Sequence, residues 1–379
     1  MRTPDSPLSV QDETREDPNL GLPREASDER LALLGRSREE LRQLLGDRLD
    51  RPFRVQQIHE ALHHLGVADF GDITNLPKEL RRELSQRFRV GRPEAKERRE
   101  APDGTVKYLL RLDDGAGIEA VDIPEGDRRT LCLSSQAGCA LGCTFCVTGY
   151  WGAGRNLTPG EIVGQWLTIR SHWRGEPRRV NLVFMGMGEP LLNLESLEPA
   201  LAILAESISP RRITVSTAGV VPGIDAMARW AKRPRLAVSL HAPDDERRSE
   251  LMPLNRTWPL AELMAALRRW PLEKGERITF EYLLLDRFND RPEDADAVAR
   301  LAARLPSKVN LIPMNPDPVL GGLAPPPDEV VDAFQKRLRE RGLVATVRRR
   351  RGEDVSAACG QLRAFARQPR GAPARRKGT

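Results

Sequence analysis

Cysteine is scarce in this sequence, with five residues in 379. So small and odd a number excludes a disulfide-stapled extracellular scaffold. Long apolar runs are missing too: no stretch approaches the roughly 18 residues that a membrane-spanning helix needs. Residues 1–30 carry four basic and eight acidic side chains and contain proline, which is not the basic-then-apolar order of a secretory leader. A cytoplasmic protein with no membrane partner is expected. Nothing in the pattern resembles a coiled coil or a swapped segment, so a monomer is expected.

Three of the five cysteines fall within eight residues, Cys139, Cys143 and Cys146. Cubane iron–sulfur clusters usually take four thiolates, so a three-cysteine set leaves one iron open to an external ligand. The amino and carboxylate groups of S-adenosylmethionine suit that vacancy. The competing reading is a zinc site, which closes its tetrahedron with cysteine or histidine. Against it, no histidine lies nearer in sequence than His172, and no fourth cysteine completes a paired pattern.

Charge divides the chain into a body and two tails. The first thirty residues have a net charge of −4 and few large apolar residues, the composition of a disordered acidic lead. Residues 363–379 hold six basic and no acidic side chains with two prolines, a basic disordered tail. The body keeps +4 of the total +6, a balance that fits a nucleic-acid partner or simply a solvated surface.

Residues 31–95 read as a small helical accessory domain. Ser37-Arg-Glu-Glu40 is a capping-box pattern ahead of Leu41, Leu44 and Leu45, and Leu80, Leu84 and Phe88 share one helical face after Pro77. Arg51, Arg54, Arg81, Arg82 and Arg87 are candidates for phosphate contact or plain helix exterior. Residues 96–128 read as a hairpin linker, with strands at 105–112 and 118–123. From 129 to 362, short apolar runs at Thr130–Leu133, Asn181–Met185, Ile213–Ser216, Leu236–Leu240, Ile278–Leu284 and Val309–Pro313 alternate with helical patterns. One helix starts at the capping box Thr158-Pro-Gly-Glu161, and two more lie at 291–304 and 327–341. The fold class is α/β, with ligands expected beyond the carboxyl ends of parallel strands.

Gly138-Cys-Ala-Leu-Gly-Cys-Thr-Phe-Cys146, Arg155-Asn-Leu-Thr158, Met185-Gly-Met-Gly-Glu-Pro190, Ser216-Thr-Ala-Gly219, Ser239-Leu-His-Ala-Pro243, Asn310-Leu-Ile-Pro313 and Ala357-Ala-Cys-Gly-Gln-Leu362 together resemble the RlmN family of radical S-adenosylmethionine (adenine-C2) RNA methyltransferases. The resemblance covers residues 37–362. It departs at Gly152-Ala-Gly154, where many relatives carry an aromatic residue, and at Met314, where many carry Trp or Tyr. It implies a partial (β/α)6 radical barrel and one [4Fe-4S] cluster on Cys139, Cys143 and Cys146. It also implies two S-adenosylmethionine molecules per turnover and a flavodoxin-type electron donor. The implied substrates are 23S ribosomal RNA and transfer RNA, modified next to the anticodon in the latter.

Adenine C2 is an electron-poor carbon and a poor nucleophile, so a radical route is needed, with the cofactors carrying that chemistry. The resemblance implies that Cys359 is first methylated and that its methyl, after hydrogen abstraction, adds to adenine C2. Cys132 then releases the product through a disulfide with Cys359, and Glu119 accepts the proton. Gly188, Glu189, Ser216, Ser239, Leu240, His241 and Asn315 match cofactor-contact positions. Taken singly, each has a plainer reading: Cys132 as a small buried hydrophobe, Gly186-Met-Gly188 as a tight turn, His241 as a structural hydrogen-bonding group, and Glu119 as a solvated hairpin residue. Arg348-Arg-Arg-Arg351 suits RNA phosphates or an exposed basic strand equally. The competing functions are a Cfr-like adenine-C8 methyltransferase, a radical enzyme on a small molecule, and a zinc-stabilised RNA-binding protein without catalysis.

Overall fold

The computed structural model describes residues 28–348 and 360–362. Cys359, Arg349 to Arg351, the acidic lead up to residue 27 and the tail from 363 lie outside the described residues.

Both capping boxes form. In α1 (Arg38–Leu45) the Ser37 hydroxyl accepts from the Glu40 N–H, and the Glu40 carboxylate accepts from the Ser37 N–H. Thr158 and Glu161 repeat the exchange at α5 (Pro159–Arg170). Between them come α2 (Arg54–Glu60), continued by a π-helical turn over Ala61–Leu65, then α3 (Lys78–Arg87) and α4 (Val147–Tyr150). A two-residue parallel pairing of Leu31–Ala32 with Phe88–Arg89 closes the N-terminal helical unit. Of the five arginines that are candidates for phosphate contact, four are engaged locally. Arg54 meets Asp50, Arg81 donates to the Gly71 carbonyl, Arg82 meets Glu79, and Arg87 lies 3.6 Å from Glu83.

Ten strands form the main sheet: β1 (Glu94–Glu100), β2 (Val106–Arg111), β3 (Gly117–Glu125), β4 (Arg128–Cys132), β5 (Arg179–Phe184), β6 (Ile213–Thr217), β7 (Arg235–Ser239), β8 (Ile278–Leu284), β9 (Ser307–Pro313) and β10 (Val344–Val347). They lie side by side in chain order. From β4 to β10 every neighbouring pair is parallel. The order never reverses, so this is the winding of a barrel left open rather than of a doubly wound sheet. The crossovers carry α5, α6 (Leu194–Leu204), α7 (Val221–Met227), α8 (Asp245–Leu251), α9 (Leu260–Arg269), α10 (Pro292–Ala302) and α11 (Asp328–Glu340). The sequence reading marks six of the parallel strands. The seventh, β10, is four residues long with two of them exposed, too short for a period-2 signal. The hairpin β2–β3 is no free linker: β3 pairs antiparallel with β4, and β1 with β2, so three strands extend the barrel sheet.

Helix α5 carries the N-terminal unit. Ten consecutive residues, Gly160 to Ile169, are buried, because the unit covers the face turned away from the sheet; the polar ones among them, Glu161, Gln165 and Thr168, are hydrogen-bonded to Arg155, Ser134 and Pro93. Backbones meet closely here. A Cβ on Gly160 would lie 2.4 Å from the Leu34 carbonyl oxygen, and one on Gly35 2.1 Å from the Gly160 nitrogen. Among the described residues, no helix is long and apolar enough to cross a membrane.

Gly160→Ala is therefore expected to destabilise the protein by about 1–3 kcal/mol, as overpacking does. Gly46→Ala has open space around the added methyl and a right-handed φ of −48°, so it should be neutral or stabilising by up to about 1 kcal/mol. Chemical denaturation of the two variants checks the contrast.

Candidate active site

The loop after β4 is hydrogen-bonded along the loop after β5. The Leu133 N–H donates to the Val183 carbonyl, the Gly186 N–H to the Leu133 carbonyl, and the Ser135 N–H to the Met187 carbonyl. Glycine is required by this contact. A Cβ on Gly186 would lie 2.7 Å from the Leu133 oxygen and the Ser134 hydroxyl, and Gly188, at φ +95°, would bring one within 2.5 Å of Gln136 Cβ. The space these glycines leave is thus filled by the chain itself. Gly154 is equally constrained, since its Cβ would sit 1.4 Å from the Ala137 oxygen; no aromatic residue fits there on this backbone.

Glu189 follows that turn and is 3 % exposed. Its carboxylate accepts the Leu191 N–H at 3.1 Å and the Ala218 N–H at 2.8 Å, tying the end of β5 to the end of β6. Burial pushes its carboxyl up to about 7, against the pull of these donors.

The three-cysteine loop is held at several points. The Cys139 N–H donates to Gly152, the Thr144 N–H to Leu251, and the Val147 N–H to the Gly360 carbonyl at 2.7 Å. Thr148 donates to the Leu362 carbonyl, and the Gln361 amide to that of Pro316. Gly360, Gln361 and Leu362, which follow Cys359 in sequence, are thereby fastened beside the cysteine loop. Burial pushes the Cys139 thiol up to about 11 and Cys143 further, with the neighbouring cysteines pushing the same way. Cationic metal is what turns such thiols into thiolates. Three thiols on one loop fit an iron–sulfur cluster that keeps one iron open to an external ligand.

His241, at φ +58°, is buried. Its Nδ1 accepts the Leu283 N–H at 3.0 Å, its carbonyl accepts the Asn289 amide, and its ring meets the edge of Phe145, in the cysteine loop, at 4.7 Å. Burial first, and Arg248 second, push its pKa down to about 3, so the ring is neutral with its proton on Nε2. Ser216 is the penultimate residue of β6, and Ser239 ends β7. Leu240 is fully buried in the core, its N–H bonded to the Glu281 carbonyl. Asn315, two residues beyond β9, holds a buried Oδ1 with no hydrogen-bond partner among the described residues. Such an acceptor is expected where a bound ligand completes the shell.

Sequence reasoning missed Arg248. Its side chain is fully buried, and its guanidinium donates to the carbonyls of Ala218, Ser239 and Leu240 and to the Asn255 amide oxygen. Burial lowers its pKa to about 10, which leaves it charged. The signal was its place three and four residues before buried Leu251 and Met252, on the inward face of a helix that otherwise reads as solvated charge.

Cys132 ends β4 opposite Val121, and Lys107 also faces Val121 across β2–β3. Glu119, two residues along β3, shares that face. It is 5 % exposed and pairs with Lys107 Nζ at 3.1 Å, so it is not a solvated hairpin residue.

Because the Glu189 carboxyl titrates higher folded than unfolded, the stability it contributes is full below pH 4.5 and is lost as pH rises through about 7, by up to about 3 kcal/mol without ligand. Urea denaturation across that window should show the decline in the wild type, and Glu189→Gln should flatten it.

Residues 133–301 match the Radical SAM superfamily, and residues 31–90 match the family described as ribosomal RNA large subunit methyltransferase N-terminal domain. The dual-specificity RNA methyltransferase RlmN of Anaeromyxobacter sp. (strain Fw109-5) is 48 % identical over 347 residues, covering 86 % of this chain and 91 % of that relative. The protein of the same name from Anaeromyxobacter dehalogenans (strain 2CP-C) is 46 % identical over 338 residues, covering 86 % and 90 %. The crystal structure of a radical SAM methyltransferase from Sphaerobacter thermophilus superposes with a TM-score of 0.83 at 44 % identity, over 88 % of this chain and all of that one. With an N-terminal unit and an open barrel that both match, this chain belongs to the RlmN family of radical S-adenosylmethionine RNA methyltransferases, which use a [4Fe-4S] cluster and S-adenosylmethionine.

Proposed function

We propose that the chain methylates adenine C2, producing 2-methyladenosine in 23S ribosomal RNA and in transfer RNA beside the anticodon. The relatives' name, dual-specificity RNA methyltransferase, supports the substrate pair. The observation that carries the chemistry is the fastening of Gly360–Leu362 to the cysteine loop, since these residues follow Cys359. We assign Cys139, Cys143 and Cys146 as the cluster ligands, and Gly188, Glu189, Ser216, Ser239, Leu240, His241 and Asn315 as the lining of the S-adenosylmethionine site. When bound, the cluster and cofactor supply one-electron chemistry able to remove hydrogen from a methyl group.

The rest falls to the chain. Cys359 carries the methyl carbon transferred from one S-adenosylmethionine and, after the second is used, presents it to adenine C2, which joins protein to RNA. Glu119 takes the C2 proton, its charge balanced by Lys107 in a site where an unpaired carboxylate would be costly. The adduct gives its unpaired electron back to the one-electron donor; the Cys132 thiolate then attacks the Cys359 sulfur, the bond from that sulfur to the transferred carbon breaks, and the carbon takes a proton to become the methyl of the freed base. The N-terminal unit is assigned to 31–95 and the catalytic unit to 129–362, with 96–128 contributing its three strands to the barrel sheet. The enzyme acts as a cytoplasmic monomer reduced by a flavodoxin-type donor.

The test is anaerobic reconstitution with iron and sulfide, then reaction with S-adenosylmethionine, reductant and unmodified ribosomal or transfer RNA, with mass spectrometry of the nucleosides. The expected product is 2-methyladenosine, lost on Cys359→Ala while cofactor cleavage persists. Formation of 8-methyladenosine, or cleavage without RNA methylation, would overturn the assignment. Lys107→Met should slow release by about 10²-fold and accumulate an RNA–protein adduct stable in denaturing gels. Lys107→Arg should restore turnover.

A further inference from the structure

A second cluster of ligating side chains lies outside the catalytic site, where the N-terminal unit meets the end of α6. The π-helical turn over Ala61–Leu65 directly continues α2, and a turn of that kind aligns residues five apart. It brings His64 onto the side of His59, their rings 6.2 Å apart. Both face Glu206: its Oε2 lies 2.9 Å from His64 Nε2 and 4.0 Å from His59 Nδ1. One ligand atom from each of the three lies within 4.8 Å of the others. π turns of this kind are rare and concentrate at functional sites.

The hydrogen bonding of the cluster is incomplete in one place. The ring of His63, tilted against that of His59 with centroids 4.3 Å apart, is fully used: Nε2 accepts the Gly35 N–H and Nδ1 donates to the His59 carbonyl. His64 Nδ1 meets the Ser207 hydroxyl. His59 Nδ1 is buried with no hydrogen-bond partner among the described residues, on a side chain 1 % exposed. A buried imidazole nitrogen aimed at a carboxylate it does not reach is explained if a third body sits between them.

We propose that His59, His64 and Glu206 bind a divalent transition-metal ion of the zinc class, which fastens the N-terminal helical unit to the barrel. Two imidazoles and one carboxylate are a zinc donor set that leaves a fourth position for water. The ion replaces the proton shared by His64 and Glu206. That proton moves to His64 Nδ1, which then donates to Ser207, so no net proton is released. His59 offers its Nδ1, buried and with no hydrogen bond among the described residues to give up. Arg38 donates to both Glu206 oxygens at 2.8 Å. It is the hydrogen-bonded support that ligating carboxylates ordinarily have, and its positive charge makes the site weaker than one without it.

The test uses cluster-loaded protein, so that the three cysteines are occupied, equilibrated anaerobically with zinc chloride and desalted. Metal analysis should give one retained zinc per chain. Its X-ray absorption edge should show a nitrogen and oxygen shell, and thermal unfolding should rise with zinc. His59→Asn and Glu206→Gln should each weaken retention by more than about tenfold with iron content unchanged; Glu206 is 20 % exposed, so its variant is the safer for folding. Absence of retained zinc, sulfur in its shell, or retention indifferent to both substitutions would overturn the proposal. None of these readouts depends on RNA methylation.

Discussion

A charged guanidinium with no water around it must be surrounded by acceptors, and Arg248 obtains them from the ends of neighbouring strands. Ala218 follows β6, Ser239 ends β7 and Leu240 follows it, and the carbonyls of all three converge on this one side chain. Strand ends in an open barrel have no partner on their free face, so their carbonyls would otherwise be left unsatisfied. Arg248 settles that requirement and at the same time fixes the rim from which Ser216, Ser239, His241 and Glu189 are presented. His241 depends on it twice: its backbone leaves the end of β7 at the clamp, and the nearby positive charge helps keep its ring neutral.

Around that rim the chain relies on close backbone approach rather than on large side chains. Gly186, Gly188 and Gly154 each stand where a methyl would strike the chain's own atoms. The effect is to interlock the loops after β4 and β5, so that the cysteine loop and Glu189 are positioned by one folded unit. Glu189 is buried and tied to two backbone donors, and burial raises its pKa against the pull of those donors.

The N-terminal unit is seated by the same kind of contact. Gly35 against Gly160 and Leu34 against the start of α5 leave no room for water, and the Arg38–Glu206 pair adds a charged fastening farther along. Helix α5 is consequently shared by both units. Its amino end supports Arg155, which pairs with Glu161 just after the cysteine loop, so displacement of the N-terminal unit would be felt at the site.

Much of this was written locally. The capping boxes at Ser37 and Thr158, the helices near 292–302 and 328–340, the six longer parallel strands and the three-cysteine loop follow from spacings of two to seven residues, where covalent geometry and the periods of helix and strand dominate. Local spacing also made the family resemblance visible. What the sequence alone did not determine is which charged residues are buried and with whom. Lys107 and Glu119 meet across a hairpin, Arg248 is buried against the carbonyls of Ala218 and Ser239 on other elements, and Glu206 reaches His64 from 142 positions away. The short strand β10 exists because β9 offers it a ladder. Burial of charge and pairing at a sheet edge depend on neighbours distant in the chain, so only the tertiary structure decided them.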